Sequence, residues 1–289
     1  MRGGRRQHRW RAAAIAVAGT VGVLAAGSVA LASAYAGAPA SGSPTADNRA
    51  GTCHLAEEPL ELVATLSDTT PPVPCTVPHQ TETAWQLQLT GPLTAQRVRP
   101  NPELLLARFA RLCDDYPRIR DYLGARPQDA YWGISAWAKF PSRSEWARGV
   151  RLMVCELSTD PNSPSGPTVS YPIARFLRRA DSSALRLCRA GTALVTCDQP
   201  HDAEATSPTV DLPVIPWPGP ATEQAMGRTA CVPVVDSYLN ADIASRPDLV
   251  IDPEGPTEMQ WAKGVRTVTC WIAQGSGRQV TGTVRGGFA

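Results

Sequence analysis

Eight cysteines, all beyond residue 52, stand in an order that runs twice along the chain, and no other feature limits the possible folds as strongly. Each run reads cysteine, then Cys-x-x-Pro-His-x-x-Glu, then a third cysteine, then Trp-Ala-x-Gly-Val-Arg-x-x-x-Cys. The first run is Cys53, Cys75 with His79 and Glu82, Cys113, and Trp146 to Cys155 with Arg151 between. The second is Cys188, Cys197 with His201 and Glu204, Cys231, and Trp261 to Cys270 with Arg266 between. Arg126-Pro127 and Arg246-Pro247 fall at matching intermediate places. Such self-similarity predicts two like units, at 50–158 and 184–274. A Ser/Pro/Asp-rich linker at 159–183 and a C-terminal tail at 275–289 complete this reading. Eight cysteines allow 105 pairings; bridges closed within each unit leave three per unit, or nine in all. First to second and third to fourth is the expected order.

The local pattern predicts strands at 60–66 and 83–89. Cys188 and Cys197, around Gly191, suit a compact hairpin with facing sulfurs. Asn101-Pro102-Glu103 supplies a cap, a first-turn proline and an acid for a helix. Along it Leu105, Phe109, Leu112, Cys113 and Tyr116 recur at helical spacing. Its counterpart runs from 222 to 239 with Cys231 and Tyr238. A last strand alternates Val150, Leu152 and Val154 against Arg151 and Met153. Each unit is then hairpin, helix, loop and strand, an α+β fold stapled by disulfides. Bridges contribute roughly 2–4 kcal/mol each, which small cores need.

The N-terminus places these units. Arg2, Arg5, Arg6, Arg9 and Arg11 form a basic tail over 1–11, and no charge follows until Asp47. Residues 12–34 are apolar or small, long enough to cross a bilayer as a transmembrane helix. The arginines would stay cytoplasmic, with everything after the span outside. Ala32-Ser33-Ala34 also suits a cleaved secretory signal, so a single-pass anchor and a secreted product both stand. A flexible linker is expected over 35–52. Without the tail the chain holds 23 basic against 26 acidic residues, which excludes a nucleic-acid binder relying on a basic face.

The order Pro-Cys-x-x-Pro-His-x-x-Glu, a helix with cysteine, then Trp-x-x-Gly-x-Arg-x-x-x-Cys resembles the septum formation domain of actinobacterial envelope proteins, here in two tandem copies. The resemblance implies an extracytoplasmic, often membrane-anchored module linked to cell division, with no established catalytic activity.

The repeated polar residues allow several uses. His79 with Glu82 and His201 with Glu204 suit a capped turn after proline with an internally bonded acid. Ligand recognition, metal binding or acid/base chemistry are the alternatives. A zinc site needs three or four ligands, and the cysteines are better used in bridges, so neither metal nor cofactor is expected. Arg151 and Arg266 suit ion pairs with Glu82 and Glu204, or a carboxylate on glycan or peptide. Trp146 and Trp261 suit a core, or a sugar-stacking platform with Tyr131, Trp132 and Trp137. No Gly-x-Ser-x-Gly elbow or phosphate-binding glycine loop is present. The expectation is a non-catalytic envelope protein that binds or scaffolds another envelope or divisome protein, or a cell-wall component. A hydrolase using the Pro-His-x-x-Glu pairs, or a ligand-sensing ectodomain, are the alternatives.

Overall fold

A computed structural model describes residues 48–55, 66–67, 71–159 and 168–286. The expected tail 1–11, span 12–34, most of the linker 35–52 and nearly all of the strand at 60–66 lie outside the described residues. Among the described residues, no helix is long and apolar enough to cross a membrane.

Two antiparallel sheets carry the fold. The first orders its strands β2 (Pro72–Val73), β1 (Cys53–His54), β3 (Thr81–Gln88), β5 (Leu152–Ser158), β4 (Ser135–Lys139). The second orders β7 (Ala193–Thr196), β6 (Leu187–Ala190), β8 (Ala203–Ala205), β11 (Thr267–Gln274), β10 (Leu249–Glu254), with β9 (Val210–Asp211) also on β11. The two orders are the same strand for strand. Register agrees as well: Cys53 lies opposite Glu82, and Cys188 opposite Glu204. Glu82 faces Leu157 on its other side, and Glu204 faces Ile272.

The last strand of each run is central, not peripheral. β5 therefore has a nearly continuous buried run instead of the expected alternation, with Met153, Val154 and Cys155 all at 1 % exposure or less. The expected hairpin at Cys188 and Cys197 is present, with Ala190 paired to Ala193 and Gly191 at φ 61° in the turn.

The expected single helix in the first run is two. Asn101 accepts from the Leu104 N–H at 2.9 Å and starts α1 (Pro102–Phe109). The chain breaks after a 3₁₀ turn, and Asp115 caps α2 (Tyr116–Leu123) by accepting from the Arg118 N–H at 3.2 Å. Pro117 has no N–H to give the carbonyl of residue 113, so the helical hydrogen-bond ladder loses a rung where the chain breaks. Leu105, Phe109 and Cys113 are buried as spaced, but Leu112 and Tyr116 are exposed.

A five-residue helix, α3 (Arg143–Ala147), leads into β5. In the second run α4 (Pro220–Leu239) stays whole over 20 residues despite Pro233. It buries Cys231, Val235 and Tyr238 among residues that include Leu249 of β10 and Val268 and Cys270 of β11. Gly227 permits this approach: a Cβ there would come within 2.9 Å of Pro253 on β10. α5 (Glu258–Ala262) precedes β11 as α3 precedes β5, and both begin with a capping box, Ser142/Glu145 and Thr257/Gln260.

Four bridges link Cys53–Cys75, Cys113–Cys155, Cys188–Cys197 and Cys231–Cys270, and no described cysteine is free. The first and third of these tie a strand, β1 or β6, to the turn just past its neighbour, β2 or β7. The other two pin the helical layer to the central strand.

The described part of the expected linker is not a loose joint. Ile173, Phe176 and Leu177 are 2 % exposed or less and join Ala84, Leu123 and Leu157 in one apolar cluster of the first sheet. Burial of that size fixes the segment to the fold. Residues 280–286, expected as tail, dock on the second sheet mainly through hydrogen bonds to Cys197, His201 and Glu204, with Val284 packed against its core.

Candidate functional site

The repeated His-x-x-Glu segment sits where each sheet receives that docked strap. In the first sheet His79 forms a two-way backbone bridge with Val169, at 2.9 Å in each direction. Its Nδ1–H donates to the Val77 carbonyl at 2.8 Å, closing the turn that Pro78 begins. Glu82, from β3, accepts from the Tyr122 hydroxyl at 2.5 Å, the Ile173 N–H at 2.5 Å and the Ala174 N–H at 3.0 Å. Burial, with the Glu82 charge beside it, drives the Tyr122 phenol well above its usual range.

The second sheet repeats the arrangement. His201 bridges Val280, at 2.9 and 2.8 Å, and its Nδ1–H donates to the Gln199 carbonyl at 2.8 Å. Glu204 accepts from the Tyr238 hydroxyl, from Thr283 Oγ1 at 2.5 Å and from the Val284 N–H at 2.7 Å. Burial raises the Glu204 carboxyl above its ordinary range, against the pull of these hydrogen bonds and of the Arg186 charge. We call each assembly of histidine, glutamate, tyrosine and strap a clasp.

Both clasps are wired to the other half, and Arg186 serves both: it donates to the Leu177 carbonyl of the first strap at 2.8 Å. Arg186 donates to Tyr238 Oη at 3.2 Å and to Asp129 Oδ1 at 2.9 Å. Arg285, on the strap, donates to the same Asp129 oxygen at 2.6 Å. Asp129 and Arg186 are fully buried and Arg285 is 5 % exposed. The backbone of Asp129 in turn bridges Thr206 of the second half.

Arg151 and Arg266 do not pair with Glu82 and Glu204. Each stands six residues before the strand position opposite its glutamate, or about 20 Å along the strand. Arg151 instead donates to the carbonyls of Thr94, Gln96, Trp146 and Val150. Arg266 donates to those of Trp261 and Val265. Both guanidiniums cover their tryptophan rings, at 3.9 and 4.1 Å from the centroids. Trp146 and Trp261 are buried to 1 and 2 % exposure, and their indole N–H groups donate to the Gln96 and Ile215 carbonyls. Their faces are therefore closed to a sugar ring.

The sequence reading omitted Tyr122 as the partner of Glu82, as well as both straps. A signal was present: a tyrosine follows the third cysteine by nine residues in one run and seven in the other. The straps also share a spacing, Val169 with Ile173 and Val280 with Val284.

Chemically, each clasp is a closed internal acceptor site. His79, Glu82, His201 and Glu204 are at most 2 % exposed. Cys53, Cys75, His79 and Glu82 bring one ligand atom each within 4.8 Å of one another, as do Cys188, Cys197 and His201. In the oxidised chain those sulfurs are bonded to each other, so they offer no thiolate. An open groove of about 690 Å³ lies between α4 and β10, and no motif residue lines it.

A family model described as septum formation matches residues 50–270. No curated protein and no solved structure matches the chain.

Proposed function

The chain belongs to the septum formation family, and from that premise we propose that it is a non-catalytic binding or scaffold protein of the division septum, anchored by its N-terminal segment with both sheets outside the membrane. The matched region is read as two tandem copies of one module, a reading supported by the shared strand order and the shared cysteine–glutamate register. An actinobacterial envelope is the setting that the resemblance implies.

One observation carries the non-catalytic part. The repeated histidines and glutamates, the residues best suited to chemistry, are buried and bound to the chain's own straps. A general acid or base must reach a proton on substrate. Here the clasp residues reach the backbone instead, which supports a role in holding a surface in shape. The four bridges support an oxidising compartment. The arginine cluster before a charge-free stretch supports the outward orientation. The partner is a divisome protein or a wall component outside the membrane.

The test is made in cells. A fluorescent fusion is expected to gather at the division site, and crosslinkers placed at exposed Val214 or Met259 to capture one divisome protein or a wall polymer. An even distribution throughout division, or a C-terminal reporter facing the cytosol, would sink the reading.

A further inference from the structure

The first clasp is built around the Cys53–Cys75 bridge, and its other parts are those of a metal centre. We infer that reduction of this bridge converts the first clasp into a site for a zinc-type divalent ion, held by Cys53, Cys75, His79 and Glu82.

Geometry comes first. One ligand atom from each of the four residues already lies within 4.8 Å of the others. Cys53 Sγ is 3.6 Å from Glu82 Oε2. A tetrahedral ion with a sulfur at about 2.3 Å and an oxygen at about 2.1 Å holds those two atoms about 3.6 Å apart. The carboxylate and the buried sulfur therefore need little movement. Cys75 must draw away from Cys53 by about 2 Å to reach the sulfur separation of such an ion.

The donors are also prepared. His79 gives its Nδ1 proton to the Val77 carbonyl, which leaves the lone pair on Nε2. That nitrogen is buried and has no hydrogen-bond partner among the described residues. A ligating imidazole characteristically directs its other N–H at a backbone carbonyl in this way. Leaving a buried acceptor unmatched is costly, and an ion would match it. Glu82 Oε1 accepts two hydrogen bonds, from Tyr122 and Ala174, whereas Oε2 accepts one, from Ile173. A carboxylate oxygen has two acceptor sites, so Oε2, beside Cys53, keeps one for a metal.

Access completes the case. Seven of the eight cysteines are at most 1 % exposed, and Cys75 alone is partly exposed. A dithiol reductant can thus reach one sulfur of this bridge without opening the core. Its thiolate attacks Cys75 Sγ, the Cys75–Cys53 bond breaks, and Cys53 leaves as thiolate and takes up a proton. The reductant's second thiolate then attacks the mixed disulfide, freeing Cys75 and leaving the reductant as its own disulfide. Two electrons and two protons pass to the protein, and both protons leave when the ion binds the two sulfurs. The second clasp is not equivalent. Its group holds only Cys188, Cys197 and His201, without the glutamate, and both of its sulfurs belong to fully buried residues.

The experiment uses the full chain. Stepwise dithiothreitol with alkylation and mass mapping is expected to label Cys53 and Cys75 before any other cysteine. Anaerobic Co²⁺ should then bind once per reduced chain, with sulfur-to-cobalt charge transfer and tetrahedral d–d bands, and Zn²⁺ should displace it. His79→Ala and Glu82→Gln should each weaken binding by about tenfold or more, and His201→Ala should leave it unchanged. X-ray absorption of the zinc-loaded parent needs no variant and should report two sulfur and two nitrogen or oxygen neighbours. First labelling at another bridge, Co²⁺ binding by the oxidised chain equal to that by the reduced one, or a zinc shell of four sulfurs or none would overturn the inference.

Discussion

The two clasps share parts and register but differ in how the carboxylate is surrounded. Glu82 in the first is held by one tyrosine and two backbone N–H groups. Glu204 in the second is held by a tyrosine, a threonine and one N–H, with Arg186 hydrogen-bonded to that tyrosine. Through Arg186, Arg285 and Asp129 the second clasp is also tied to the first half of the chain. The difference teaches that one local device can serve two ends. The first clasp holds a strap that Arg186 also grips, and its bridge keeps one partly exposed cysteine, Cys75. The second holds a strap of its own whose Arg285 reaches Asp129 of the first half.

The largest test of this contrast is Asp129→Ala. It removes the carboxylate that two buried guanidiniums share, at an expected loss of about 3–5 kcal/mol. Urea unfolding followed by tryptophan fluorescence measures it. A loss under about 1 kcal/mol would mean that the halves are not locked by this network.

The bridges sharpen the comparison next. On chain entropy, removing Cys113–Cys155, which closes 42 residues, costs about 4 kcal/mol, and removing Cys188–Cys197, which closes 9, costs about 2.6 kcal/mol. Paired alanine variants in calorimetry check the order. A reversed order would show that strain or residual structure, not loop length, governs the staples.

A smaller effect follows from Glu204. Its folded carboxyl holds a proton more readily than the ordinary group at 4.5. Its contribution to stability is therefore complete below about that pH and is lost as pH rises through the raised folded value. Relative to Glu204→Gln, the parent should lose stability between acid and neutral pH. Melting temperatures of the two proteins across that range check it, and a constant difference would contradict the assigned burial effect.

The smallest expected changes are at the capping boxes. Ser142→Ala and Thr257→Ala should each cost about 1 kcal/mol, and by similar amounts, because α3 and α5 are capped alike. Unequal losses would separate the two halves where the fold makes them alike.

Much of the site was legible because its chemistry is carried by side-chain type at fixed spacing. The cysteine order announced the bridges, and Pro-His-x-x-Glu marked the clasp. The arginines misled, since equal spacing from a motif says nothing of distance along a strand: Arg151 and Arg266 lie at the far end from the glutamates. The break between α1 and α2 was readable from Asp115 and Pro117, yet the apolar spacing through Tyr116 concealed it. Residues 168–177 were counted as linker together with the Ser/Pro/Asp-rich stretch before them, while Ile173, Phe176 and Leu177 contribute to the core.

The sequence by itself determined the repeat and the residues at the centre of each clasp, and narrowed the cysteine pairings to nine with one expected order, because covalent and side-chain chemistry is written in residue identity. Tertiary structure alone decided which segments the clasps hold and how the halves are locked to each other. The straps are bound largely through backbone N–H and C=O groups, which nearly every residue has and which therefore leave little trace in sequence. Asp129 and Arg285 meet across 156 positions, a proximity created only when the sheets have formed.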